Sequence, residues 1–211
     1  PAVVGARSMI ISRLTAEMTL EAVTEEDIET DLEEVEPNTV ADTVPMHGYR
    51  LIVQAKRRTG DAWTEAGFKA LLTHGKRRAS AAKRLEDDPT ARYLLVTRAA
   101  LNGPVRKIGV RTAGRWPAAD AVSATIAGAG TDIAGRVAVI GSQDDERLVA
   151  DIKTLLLERF RVPRAHWEAC LAALRAQAWR RMRSDAGGVW RREEVERVIA
   201  DHEGYLVVDG E

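Results

Sequence analysis

The chain has 211 residues, 45% of them hydrophobic, enough for one sizeable core with a small helical appendage. Charged residues make up 30%, no run approaches the roughly 18 apolar residues of a membrane span, and residues 1 to 8 lack the signature of a secretory signal, so a cytoplasmic protein without membrane contact is expected. A single Cys170 rules out an internal disulfide, and with four scattered histidines it leaves no zinc site of ordinary ligand spacing.

The net charge of -1 conceals a segregation along the chain. Positions 14 to 49 carry eleven Asp or Glu and no Lys or Arg, whereas Arg50 to Arg84 holds ten basic residues against Asp61 and Glu65. Such asymmetry suits a phosphate-binding face beside a metal-binding one.

In chain order the pattern reads as α/β. Met18 to Val23 and Ile28 to Val35 alternate apolar with polar residues and are expected as strands, followed by a loop at Pro37-Asn38 and His47-Gly48. Tyr49 to Arg57 is the clearest strand. Thr64 is placed to cap a helix through Leu72, and a basic helix from Lys76 to Leu85 should stop at Asp87-Asp88-Pro89. Tyr93 to Thr97 reads as a buried strand. Gly103 to Gly135 is rich in Gly and Ala, with Val105 to Val110 a candidate edge strand, and Arg136 to Ile140 forms another apolar strand.

Ser142-Gln143-Asp144-Asp145 then resembles a capping box that opens a helix to Phe160, with Leu148, Ile152, Leu155 and Leu156 on its apolar face. After Pro163, a stripe of Trp167, Cys170, Leu171, Leu174 and Ala178 marks a core-facing helix. Glu193 to His202 is a third helix, ending at Gly204. The expected division is a core over 1–160, a helical extension or linker to a following domain over 161–204, and an unfinished segment over 205–211.

The two-residue period of a strand sets Leu51, Val53 and Ala55 on one face of the clearest strand and Ile52, Gln54, Lys56 and Arg58 on the other. The first face is expected in the core. The second aims an amide oxygen, an ammonium and a guanidinium the same way, which an interior strand seldom does without a use. Upstream, Glu21 to Ile28 offers carboxylates one hairpin away. Mg²⁺ prefers oxygen ligands and usually keeps several waters, so Asp27, Gln54 and the carbonyl of Ala55 would suffice to hold it. The ion would activate a water and neutralise phosphate charge, with Lys56 positioning that water or stabilising the extra negative charge of the transition state and Arg57 and Arg58 holding the nucleic-acid backbone.

This segment resembles the restriction-endonuclease-like PD-(D/E)xK superfamily, in the variant where Gln replaces the acid of the E-x-K element, here Gln54-Ala55-Lys56. Leu20-Glu21, Glu26-Asp27-Ile28, Val53 to Arg58 and Trp63-Thr64 are similar to N-terminal nuclease domains of bacterial anti-phage proteins. Those include cyclic-oligonucleotide-activated effectors and the effector ends of STAND-type NTPases. The resemblance implies a mixed central sheet flanked by helices and a Mg²⁺- or Mn²⁺-dependent endonuclease acting on double-stranded DNA, within a larger chain that is a homo-oligomer when active.

Carried over by residue, Asp27 is the metal-binding acid, Gln54 and Lys56 form the half-motif, and Glu21 is a second acid. Glu17 is a weaker candidate on a first helix, and Glu25, Glu26 and Asp31 lie close enough to exchange with Asp27 after a register shift. Lys76, Arg77 and Arg78 would join Arg57 and Arg58 on one DNA-binding surface. His47 and His74 are read as polar loop residues and Gly128 to Thr131 as a turn. The five tryptophans are read as core and interface. A nuclease-like domain that only binds nucleic acid or mediates assembly is the competing expectation.

Overall fold

The computed structural model describes residues 15–20, 27–32, 49–56, 61–75, 79–110, 116–130, 133–141, 145–182 and 188–203. Their centre is a six-stranded sheet of β1 (Thr15–Leu20), β2 (Asp27–Leu32), β3 (Tyr49–Lys56), β4 (Arg92–Thr97), β5 (Val137–Ile140) and β6 (Gly188–Arg191). Its order is β5-β4-β3-β2-β1-β6. The first three strands form an antiparallel meander, β3, β4 and β5 run parallel, and β6 closes antiparallel on β1.

The parallel strands are covered on both faces, which explains why β4 reads Tyr-Leu-Leu-Val and β5 reads Val-Ala-Val-Ile without polar alternation. Successive residues feed opposite cores. Leu51, Val53, Leu94, Val96, Ala138 and Ile140 pack on one side against α4 (Asp145–Phe160), α5 (Trp167–Met182) and α6 (Arg192–Ala200). Ile52, Tyr93, Leu95, Val137 and Val139 pack on the other against α1 (Glu65–Thr73), α2 (Ala81–Asp87) and the short α3 (Ala124–Ala127). The mixed sheet is therefore sandwiched between two helical layers.

Local chemistry sets the helix ends. The Thr64 hydroxyl accepts from the Gly67 N–H at 3.2 Å with Glu65 in the first turn, and Ser80 accepts from the Lys83 N–H at 3.2 Å. α2 starts at Ala81, and Lys76 to Arg78, expected as its first turn, lie outside the described residues. Residues 142–144 of the expected capping box also lie outside them, while α4 ends at Phe160 as expected.

Three expectations change. Val105 to Val110 is not an edge strand; Gly103–Ile108 is a 3₁₀ turn, opened by Gly103 at φ 52 with its N–H bonded to the Asn102 side chain at 2.8 Å. Val105 and Ile108, three residues apart, are both buried, as a three-residue repeat requires. The described residues of the expected 161–204 extension pack into the core, since Trp190, Cys170, Leu174, Val195 and Ile199 share it with β3, β4 and β5 and β6 extends the sheet. Glu17 stands on β1, opposite Arg191 of β6, rather than on a helix.

Candidate functional site

Strand β3 changes character along its length. Leu51, Ile52 and Val53 are buried, whereas Gln54, Ala55 and Lys56 are only half-buried, at the carboxyl end of the parallel strands, the edge where open α/β sheets commonly bind ligands. Two features of the adjoining strands converge on this edge.

The first is the ladder with β2. Asp27 is the Cα partner of Gln54, Ile28 of Val53, and Asp31 of Arg50. Directly opposed positions of an antiparallel pair lie on the same face, so Asp27 shares a face and a level with Gln54. Asp31 sits four residues farther along, about 13 Å away at an ordinary strand rise, beside Arg50. It is thereby separated from the position of Gln54. The side chain of Asp27 lies outside the described part, as do Glu21, Glu25, Glu26, Arg57, Arg58, Lys76, Arg77, Arg78 and His47.

The second is β4, whose Tyr93, Leu95 and Thr97 occupy the same face as Gln54 and Lys56. The phenol of Tyr93, 1% exposed, donates to Oε1 of Gln54 at 2.6 Å while its ring meets Phe68 of α1, centroids 6.3 Å apart. Thr97 is level with Lys56. Its buried hydroxyl accepts the Trp63 indole N–H at 2.9 Å and the Ala99 backbone N–H at 3.2 Å. Trp63 is in turn tied by its backbone to Ala100 and Asn102, both at 2.9 Å. The floor beneath Gln54 and Lys56 is thus an apolar, hydrogen-bonded plug joined through Thr64 to the start of α1.

Tyr93 is the residue that local spacing missed, since its partner stands 39 positions away. A signal did exist: a tyrosine within an aliphatic buried strand must find a partner for its hydroxyl. Of the other residues singled out, His74 is an exposed cap at the end of α1, and Gly128 closes α3. Cys170 lies in the core, where burial pushes its thiol up to about 11.

Among the described residues no three His, Cys, Asp or Glu side chains gather as a metal site. A donor set of one carboxylate, the Gln54 amide and the Ala55 carbonyl is hard, oxygen-only and incomplete. It fits Mg²⁺, which retains waters, and would not satisfy a metal that demands a closed protein cage.

No protein-family model matches the chain, and no curated protein does. Solved structures do. The structure of the Acinetobacter baumannii Cap4 SAVED/CARF-domain containing receptor superposes with a TM-score of 0.59 at 14% identity, over 95% of this chain and 45% of that one. The same receptor with the cyclic trinucleotide 3'3'3'-cAAA gives 0.59 and 14% over 95% and 46%, and the Moraxella osloensis Cap4 receptor gives 0.58 and 11% over 95% and 46%. The likeness is one of fold. The chain spans less than half the length of each of these receptors. No described helix is long and apolar enough to cross a membrane.

Proposed function

We propose that this chain is a metal-dependent endonuclease domain of the PD-(D/E)xK type, an effector that hydrolyses DNA phosphodiester bonds in anti-phage defence as part of a larger, oligomeric protein. The observation that carries the reading is the pairing of Asp27 with Gln54, two residues before Lys56, at the half-buried carboxyl end of β3. A mixed sheet between helical layers accords with a restriction-endonuclease-like core. The likeness to Cap4 receptors accords with a defence role.

A bound Mg²⁺ or Mn²⁺ would supply Lewis acidity and an activated water. Asp27, the Gln54 amide and the Ala55 carbonyl would hold it, with Glu21 as a second acid. Lys56 stands on the Gln54 face one residue beyond Ala55, so its ammonium offsets negative charge that builds on the phosphoryl oxygens. Arg57 and Arg58, next in the chain, would grip the backbone without reading bases, with Lys76, Arg77 and Arg78 continuing the same surface.

A second reading starts from the Acinetobacter baumannii receptor that holds a cyclic trinucleotide. On that reading the chain is a nucleotide-binding domain or an inactive nuclease-like module, and the acids are dispensable. The full protein should be incubated with plasmid in Mg²⁺ or EDTA, with and without 3'3'3'-cAAA. Nicking that needs metal, vanishes in Asp27→Ala and drops roughly 10²-fold in Lys56→Ala, with DNA affinity little changed, is expected. Trinucleotide binding by this domain with wild-type nicking in both variants would replace the nuclease reading with the second.

A further inference from the structure

Tyr93 of β4 places its phenol oxygen against the candidate half-motif. It precedes the aliphatic run Leu94 to Val96, fully buried, with its ring against Phe68 and its hydroxyl 2.6 Å from Oε1 of Gln54. An apolar residue would serve this strand as well for packing, and a buried hydroxyl without a partner is costly, so the pair must be considered together.

A glutamine amide is a neutral and weakly donating ligand on a side chain with three soft torsions. Holding it for an ion costs rotamer freedom, a cost that prior ordering removes. A phenol proton aimed at the amide oxygen selects that oxygen over the nitrogen and fixes its direction, and the second lone pair of Oε1 stays available. Groups that hydrogen-bond to a ligand in this way typically control 10–100-fold in metal affinity.

We propose that Tyr93 is a positioning residue for the cation half-site, presenting Oε1 of Gln54 to a divalent ion. The inference rests on the nuclease reading above and adds to it a residue on a different strand. It also accounts for the amide: Gln54 serves where an acid is usual because a donor beneath it supplies the order that charge supplies elsewhere.

Binding of Mn²⁺ to the full protein, followed by the electron paramagnetic resonance signal of the free ion, tests this without any appeal to cleavage. Tyr93→Phe keeps the ring against Phe68 and should weaken Mn²⁺ 10–100-fold with an unchanged melting temperature. Gln54→Ala should do the same, and the double variant should bind no more weakly than Gln54→Ala alone, as expected of a hydroxyl that acts through the amide. Gln54→Asn keeps the amide but withdraws it from the hydroxyl. It should bind like Gln54→Ala, and parental affinity in it overturns the positioning role even should Tyr93→Phe fail to fold.

Parental affinity in Tyr93→Phe or in Gln54→Asn, or additive losses in the double variant, overturns the positioning role alone. A parent that binds no Mn²⁺, or an Asp27→Ala variant that binds it as the parent does, removes the metal site and the nuclease reading with it.

Discussion

Replacing Arg136 by methionine should unfold the protein far more readily than any surface change, although the residue is far in sequence from the candidate site. Arg136 is buried, 7% exposed, immediately before β5. Its Nη2 donates to the carbonyls of Leu85 and Asp88 at the end of α2, each at 2.5 Å, and its Nε donates to Ala91 at 3.1 Å just before β4. One guanidinium therefore caps a helix C-terminus, where positive charge is favoured, and fixes where β4 begins.

Hydrogen bonds to a charged donor contribute about 1.5–3 kcal/mol each, so three would total about 5–9 kcal/mol if none were replaced. Asp88 is only half-buried and its carbonyl can regain water. A loss of about 3–5 kcal/mol is thus expected for Arg136→Met, a large share of the roughly 5–15 kcal/mol available to a domain. Arg136→Lys should lose about half of that, because a compact ammonium cannot span both the helix end and Ala91. Urea unfolding followed by tryptophan fluorescence measures it. A loss below about 1 kcal/mol at an unchanged m-value would refute this account of Arg136.

Two further outcomes are expected. Charge reversal at Arg57 and Arg58 should lower DNA affinity and reduce the slope of log affinity against log salt by about one for each phosphate that is no longer neutralised, and equal slopes in variant and parent would remove these arginines from the interface. The Thr90 hydroxyl holds the Asp88 carboxyl below its ordinary value, aided by the Thr90 and Ala91 N–H groups and by Arg50 3.9 Å away, against an opposing effect of burial. A lowered folded value means that this stabilisation is present above the ordinary value near 4 and is lost as pH falls through the folded one. Asp88→Asn should therefore flatten the acid limb of the stability profile and leave its alkaline limb alone.

What can be read from the sequence follows from how local the cause is. The helices α4 and α5 and the strands β3, β4 and β5 are legible because apolar periodicity or an apolar run is set by burial of the element itself. β1 and β2 are legible with earlier starts, at Thr15 and Asp27, and residues 21–23 and 33–35 of the expected strands lie outside the described residues. Their register is set by pairing, with Thr15 opposite Leu32 and Leu20 opposite Ile28, and it has no local signature. β6 is not legible at all. Gly188–Arg191 is four residues long, too short for a period, and its strand geometry comes from lying against Glu17 to Leu20. Its Trp190 donates its indole N–H to Gln177 of α5 at 2.9 Å, which locks the strand to the helical layer.

The half-motif is visible in the sequence for a reason that the structure revises. Alternation along β3 suggests one core face and one ligand face, yet Ile52 of the supposed ligand face is as buried as Val53, each 1% exposed. Polarity therefore changes along the strand rather than across it. Up to Val53 both faces are covered by helices; from Gln54 onward the burial relaxes on both parities, including at Ala55. The neighbouring strand stays buried to its end, and on the same face Tyr93 and Leu95 are followed by the hydroxyl of Thr97, level with Lys56. The half-buried end of β3 at the carboxyl edge of the parallel strands, with Thr97 of β4 level with Lys56, is a stronger indication of a site than a lone Q-x-K. Tyr93 lies just below that edge, where an apolar residue would have sufficed for packing, and its hydroxyl is what links the core of the sheet to the polar rim above it.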